Sequence, residues 1–317
     1  MRPPKAVQSD DVCGTSIDSG SRGGKRRGTL VVAPYVGEFG WELMNWQAFV
    51  RAQRLRRPAA RWIVFGDEGK RRLYEAPGVE FVHVSLDGLP GESCNDGRID
   101  ECSGALAPES LWACVWALMR PHLIERDLCA ADASAPLDGI HVIRPDYDGR
   151  LWPAAPPHQA FESLARRPAD ASGARLDVVL VPRQRALAGL RGQAASWWET
   201  LADQLVRRGL RVAVAPARFD EAVTLFSTCR LAAGGSTGGL HLASLCACPH
   251  YVWGGGDEER WTGWEISNRQ RYETFWNPLG TPARYEPLGW RPAVSTAVEG
   301  IVRALDCIGR RGARDVD

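Results

Sequence analysis

Lysine is nearly missing from this chain: Lys5, Lys25 and Lys70 are the only three among 39 basic residues. The shortage is one of residue choice and not of charge. Arginine brings the basic total level with 38 acidic residues and leaves a formal net charge of +1. Such a balance gives no electrostatic footprint for a nucleic-acid partner. Long apolar runs are missing too. No stretch approaches the ~20 residues needed to cross a bilayer as a helix, and residues 1–28 lack the apolar core of a secretory signal. The nine cysteines (Cys13, Cys94, Cys102, Cys114, Cys129, Cys229, Cys246, Cys248, Cys307) include no C-x-x-C pair and have no histidine at metal-ligand spacing. That argues against a structural zinc site and leaves buried, reduced thiols in a cytoplasmic protein as the expectation. Also absent are the Gly-Lys-Ser/Thr of a Walker loop and a GxGxxG dinucleotide fingerprint.

What is present is globular material, 44% hydrophobic and 24% charged over 317 residues, enough for two domains of about 120–150 residues each. The Gly/Ser-rich residues 1–28, with the basic run Lys25-Arg26-Arg27, predict a disordered tail. From Thr29 onward, short apolar runs alternate with helical stretches. TLVVAPY (29–35), RWIVFGD (61–67), VEFVHVS (79–85) and DGIHVIRPDY (138–147) predict strands. Residues 40–56, with Leu43, Trp46 and Val50 at helical spacing, and the apolar stretch 109–123 predict helices. LWPAAPPHQ (151–159) is a proline-rich linker. The same grammar then restarts, with strands at 175–183, 211–217, 230–236 and 248–256 and helices at 196–209, 219–229 and 237–247. The expected architecture is α/β, with two Rossmann-like domains facing a cleft. Residues 29–150 form the N-terminal half, 151–292 the C-terminal half, and an amphipathic helix within 293–317 closes the chain.

The most informative segment is AGGSTGGLH (233–241), where a strand runs straight into glycines, a Ser-Thr pair, two more glycines and a helix. Backbone N–H groups at a helix start, with hydroxyls and no bulky side chains, make an anion site. The bland alternative is that Ser236 caps the helix while the glycines permit tight packing.

GGSTGGLHLASLCACPHYVW (234–253) resembles the donor-diphosphate segment of GT-B glycosyltransferases, heptosyltransferase-like enzymes in particular. VVLVPRQR (178–185) is similar to the first C-domain strand of that family, where a basic residue reaches the phosphates. APYVGEFGWELMNWQAFVR (33–51) is similar to the loop that holds the catalytic acid of inverting members. The resemblance implies a metal-independent, inverting transferase that needs no cofactor and takes a nucleotide-diphosphate sugar as co-substrate. The acceptor would be a glycan, a lipid carrier or a small metabolite. It implies Glu38 as the base, although a Glu departs from the family's Asp. Helical spacing puts Glu42, four residues on, on the same face as an alternative base in the cleft, or else as a helix N-terminal acid that favours the dipole. The resemblance also implies donor binding by Arg183, Arg185, Gly235, Ser236, Thr237, Gly238, Gly239 and His241. A carboxylate, Glu258 or Glu259, would hold the ribose hydroxyls.

Trp41 and Trp46 surround the candidate base and present apolar planes suited to a sugar. NRQRYETFWNP (268–278) shows no helical stripe and reads as a loop, either lining the cleft with Arg269 and Arg271 as further ligands or lying solvated on the surface. Three rival readings share parts of this pattern: a non-hydrolysing nucleotide-sugar epimerase, a non-catalytic nucleotide-sugar or glycan-binding protein, and a nicotinamide dehydrogenase, the last disfavoured by the missing fingerprint.

Overall fold

The computed structural model describes residues 28–94, 97–100, 104–129, 140–145, 158–165, 176–183, 193–258 and 266–314. The expected tail at 1–27, the core of the proline-rich linker (151–157), Arg185 and Glu259 lie outside these residues.

The N-terminal half starts with β1 (Thr29–Val32), a β-branched run whose Val31 and Val32 are fully buried. A short α1 (Phe39–Trp41), one π-helical stretch (Glu42–Trp46) and α2 (Gln47–Arg56) follow as one continuous helical rod. Next come β2 (Arg61–Gly66), a 3-10 helix (Glu68–Leu73) and β3 (Val79–His83). Three short strands, β4 (Glu92–Cys94), β5 (Gly97–Asp100) and β6 (Gly104–Ala105), form an antiparallel sheet that the sequence did not announce. The long α3 (Pro108–Ile124) and β7 (Ile140–Ile143) complete this half.

The C-terminal half contains β8 (Val178–Val181), α4 (Ala195–Arg207), β9 (Val212–Val214), α5 (Phe219–Thr228), β10 (Leu231–Gly235), α6 (Gly238–Leu245) and β11 (His250–Trp253). It ends with α7 (Asn268–Thr274), β12 (Ala283–Glu286) and α8 (Val294–Arg314). The α7 helix corrects the loop expected at 268–278. Its start is fixed by a capping box in which the Ser267 side chain accepts from the Gln270 amide and the Gln270 side chain accepts from the Ser267 amide. Asn268, Arg271 and Tyr272 of α7 are buried. The Ser-x-x-Gln spacing was the available signal; the absence of an apolar stripe hid it, because α7 buries polar and aromatic groups.

Two parallel sheets result, ordered β3-β2-β1-β7 and β12-β11-β10-β8-β9. In the first, strand order reverses at β1, which pairs with β2 on one side and β7 on the other. In the second it reverses at β8, which pairs with β9 and β10. In open parallel sheets the crevice at such a switch point, beyond the carboxyl ends of the strands, is where ligands bind.

The core is shared between the halves. One apolar cluster joins Leu30, Leu43, Met44 and Trp46 to Val181, Phe219, Leu240 and Leu245. Residues 158–165 connect α2 with α6: the Ala160 amide donates to the Ala48 carbonyl (3.0 Å), and the Leu164 amide to that of Leu245 (2.8 Å). No helix among the described residues is long and apolar enough to cross a membrane.

Candidate functional site

The loop after β1 and the loop after β10 meet at the junction of the halves. A Cβ on Gly238 would lie 3.0 Å from the Gly40 nitrogen and 3.1 Å from its Cα; one on Gly40 would lie 3.2 Å from His241 Nδ1. Backbone therefore lies close against backbone, and a side chain on either glycine would crowd the other loop. Gly239 is constrained from below, since a Cβ there would sit 2.5 Å from Val181 Cγ1 of β8; Gly234 meets the Val181 carbonyl in the same way. Close packing thus accounts for three of the loop glycines, as the bland reading required. It does not account for Gly235, where an added Cβ would meet nothing nearer than Trp253 Nε1 at 3.5 Å.

The helix start itself is uncapped. Thr237 takes the extended N-cap conformation, yet its side chain makes no capping hydrogen bond, whereas a threonine here ordinarily accepts from an amide one turn on. Ser236 Oγ and Thr237 Oγ1 are both buried without a partner among the described residues. Capping by Ser236 is therefore excluded. The amides of Gly238 and Gly239 head α6 without a side-chain cap, and the helix dipole makes this end attractive to anions.

His241 lies one turn into α6, 6% exposed, and neither ring nitrogen has a partner among the described residues. Its ring packs against Trp276, with centroids 4.8 Å apart, and against Tyr272. Burial lowers its pKa to about 3, with His250, Arg271 and Arg183 adding to the effect. It is thus a neutral imidazole, one nitrogen donating and the other accepting. Burial likewise lowers His250 to about 4.

These two histidines set an acid limit on stability. Their folded-state pKa values lie below the usual value near 6.5, so the unfolded chain binds protons that the folded chain refuses, and stability rises with pH across that interval. The full contribution is present above about pH 6.5 and is lost as pH falls towards 4 and 3. Two refused protons correspond to roughly 2.7 kcal/mol per pH unit inside the window. Urea midpoints should be flat from pH 7 to 8 and fall steeply from pH 6 to 4.5. His250→Gln should flatten that fall by about half, and an unchanged fall would remove His250 from the account.

Arg183 follows β8 at the switch point, half-buried and near enough to His241 to depress its pKa. Arg271 acts on His241 in the same way; its guanidinium lies 4.6 Å above the Trp276 ring. Arg269 is displaced from this group: it pairs with Asp257 at 3.4 Å and lies over Tyr285. Of the two arginines in α7, the inner one faces the loop's histidine. Glu258 is exposed just past the glycines that follow β11.

On the N-terminal side, Glu38 is partly exposed and directly precedes α1, and its carbonyl accepts from the amides of Trp41 and Glu42. It stands two residues before the Gly40–Gly238 contact. Glu42 does not share its surroundings. Its carboxylate, 2% exposed, accepts from Lys70 Nζ (2.5 Å) and from the Tyr74 hydroxyl (2.7 Å). Both oxygens are committed to the N-terminal core, which corrects its placement in the cleft. Glu38 is the extended N-cap residue while Glu42 lies inside the helical rod, so i, i+4 spacing does not bring the two side chains onto one helix face. Trp46 is also corrected. It is 1% exposed, stacked on Phe49 at 5.8 Å and packed near Tyr35, so it belongs to the core and not to an acceptor surface. Trp41 is partly buried against the shared core.

The described cysteines are all free thiols, and Cys229 and Cys248 approach to 3.2 Å between sulfurs in the interior. No group of three or more His, Cys, Asp or Glu that could hold a metal occurs among the described residues.

No protein-family model and no curated protein sequence matches the chain. Solved structures that match along most of its length are glycosyltransferases. Escherichia coli ADP-heptose lipopolysaccharide heptosyltransferase II is 16% identical, with 88% of this chain and 98% of that one covered and a TM-score of 0.47. The family 9 glycosyl transferase of Veillonella parvula is 10% identical over 91% and 99%, with a TM-score of 0.49. The iron-containing dodecameric glycosyltransferase TibC of enterotoxigenic E. coli is 14% identical over 90% and 77%, with a TM-score of 0.42. At these identities and TM-scores the likenesses decide neither activity nor substrate.

Proposed function

We propose that this protein is a glycosyltransferase that binds a nucleotide-diphosphate sugar in its C-terminal half and passes the sugar to an acceptor hydroxyl activated by Glu38. One observation carries the reading. The uncapped start of α6, with the hydroxyls of Ser236 and Thr237 partnerless among the described residues and neutral His241, lies at the switch point of one sheet and against the loop from the switch point of the other. Nearly every group gathered there donates hydrogen bonds, and Arg183 adds charge, so the fitting occupant is an acceptor-rich anion such as a diphosphate.

In this mechanism the α6 amides and Arg183 hold the diphosphate as it departs and bears growing negative charge. Fixed donors aimed at developing charge are commonly the largest catalytic contribution. With that charge met by the protein, no metal is required for the leaving group. Glu38 takes the acceptor's proton as its oxygen attacks the anomeric carbon opposite the diphosphate, which inverts configuration. Glu258, exposed just past β11, is assigned to the nucleoside ribose. The acceptor, a glycan, lipid carrier or small metabolite, enters from the N-terminal half.

A thermal-shift panel of UDP-, GDP-, ADP- and dTDP-sugars tests the donor site. A cognate donor at 100 times its Kd adds about 2.7 kcal/mol of stability, and Arg183→Ala should remove most of that gain. If no nucleotide sugar stabilises the wild type, the donor-site assignment is wrong.

A further inference from the structure

Trp253 ends β11 and stands in register beside Gly235 of β10. Its indole is 0% exposed and is held on two sides by Trp197 and Trp198, each with ring centroids 5.8 Å away. Trp197 is itself fixed by donating its indole N–H to the Pro292 carbonyl at 3.0 Å. The Trp253 ring therefore has a set orientation. Even so, its Nε1–H has no acceptor among the described residues. A buried donor without a partner loses its hydration and gains nothing in return, so it is rare in a folded interior and calls for a specific reason.

The surroundings supply one. Nε1 is the atom nearest to where a side chain of residue 235 would begin, at 3.5 Å. Gly235 is only partly buried, and the Ser236 amide donates to the Trp253 carbonyl at 2.9 Å, so strand end and loop are locked together. The 3.5 Å separation is an ordinary contact distance, which means that packing does not demand glycine here, in contrast to positions 234, 238 and 239. Glycine at 235 leaves no side chain between the buried indole Nε1 and the strand end from which the loop departs. Indole is a donor only, matching the donor-rich character of the α6 start.

We infer that the Trp253 indole N–H is a ligand-binding donor of the site: it donates to an oxygen of the bound nucleoside diphosphate, and glycine at 235 places no side chain between the two. The inference rests on the reading of the loop as a diphosphate site. It adds a neutral donor from β11 to the amides of α6, so the ligand is gripped from two adjacent strand ends.

Two variants test it, with UDP, GDP, ADP and dTDP as probes and isothermal titration as the readout. Trp253→Phe keeps the aromatic packing and deletes the N–H. Gly235→Ala keeps the N–H and lays a methyl over it. Both should weaken the Kd of the cognate diphosphate by about tenfold or more, the scale of a lost hydrogen bond to a charged group. Trp253→Phe should leave the ligand-free melting temperature unchanged or raised, because it removes a donor that nothing satisfies. Kd values equal to wild type in Trp253→Phe would overturn the inference, whatever Gly235→Ala does. So would a lowered ligand-free melting temperature with unchanged affinity, since the N–H would then serve the fold. Should Trp253→Phe fail to fold, undiminished affinity in Gly235→Ala overturns it instead. If the wild type binds none of the four diphosphates, the donor-site reading itself falls and the indole's role falls with it. Wild-type binding with unaffected variants would sink the indole's role alone.

Discussion

Glu38→Gln should reduce transferase turnover by between about a hundredfold and ten-thousandfold, the range a positioned general base contributes, while leaving donor-induced stabilisation intact. The substitution is nearly isosteric, and the Glu38 side chain makes no capping hydrogen bond to α1, whose start is held by backbone bonds from Trp41 and Glu42 to the Glu38 carbonyl. Those backbone bonds are unchanged by the substitution. Glutamine accepts hydrogen bonds but has no useful affinity for a proton, so acceptor activation is what is lost. The measurement pairs kcat in the presence of the cognate nucleotide sugar with the thermal shift that the same sugar produces. Turnover equal to wild type would place the base elsewhere. Loss of both turnover and shift would mean that Glu38 supports donor binding and not proton transfer. A binding protein without chemistry would have no turnover to lose.

Glu42→Ala should act in the opposite way, on stability first. Removing the carboxylate strands the Lys70 ammonium and the Tyr74 hydroxyl beside a cavity in the N-terminal core. Deleting one partner of a buried ion pair costs 3–5 kcal/mol. Lys70 keeps 24% exposure and can recover part of its hydration, so a loss of about 3 kcal/mol in urea denaturation is expected. The Tyr74 phenol, whose pKa is raised by burial and by the adjacent Glu42, stays protonated at neutral pH and cannot replace the missing charge. A loss under about 1 kcal/mol would show that the triad is not a structural element. The two variants are thus expected to separate glutamates four residues apart, one acting on rate and the other on folding.

That separation marks the limit of what could be read from the chain. Four residues apart in an α-helix means one face, and on that rule Glu38 and Glu42 entered the cleft together. Glu38, however, is the extended N-cap before the helix and Glu42 lies within it, so the spacing rule had no helical pair to act on. Trp46 failed for a related reason. A tryptophan at helical spacing beside Leu43 and Val50 follows the core stripe, and that stripe outweighed its nearness to the candidate base. The glycine loop stood out in the sequence, but the separate contacts of its glycines did not. Gly234 and Gly239 answer to Val181, Gly238 answers to Gly40, and Gly235 faces the Trp253 indole. Each partner is distant in sequence, so no local pattern identifies it.

The sequence by itself determined the alternation of buried strands and amphipathic helices, the two halves and the loop at 233–241, because these depend on local periodicity and on the backbone freedom of glycine. Tertiary structure decided the rest. Strand order put β1 and β8 at the switch points, close backbone contact brought Gly40 against Gly238, and burial made His241 neutral while committing Glu42 to Lys70 and Tyr74. Charge state and accessibility depend on what surrounds a group in space, and that is fixed only when segments far apart in the chain come together.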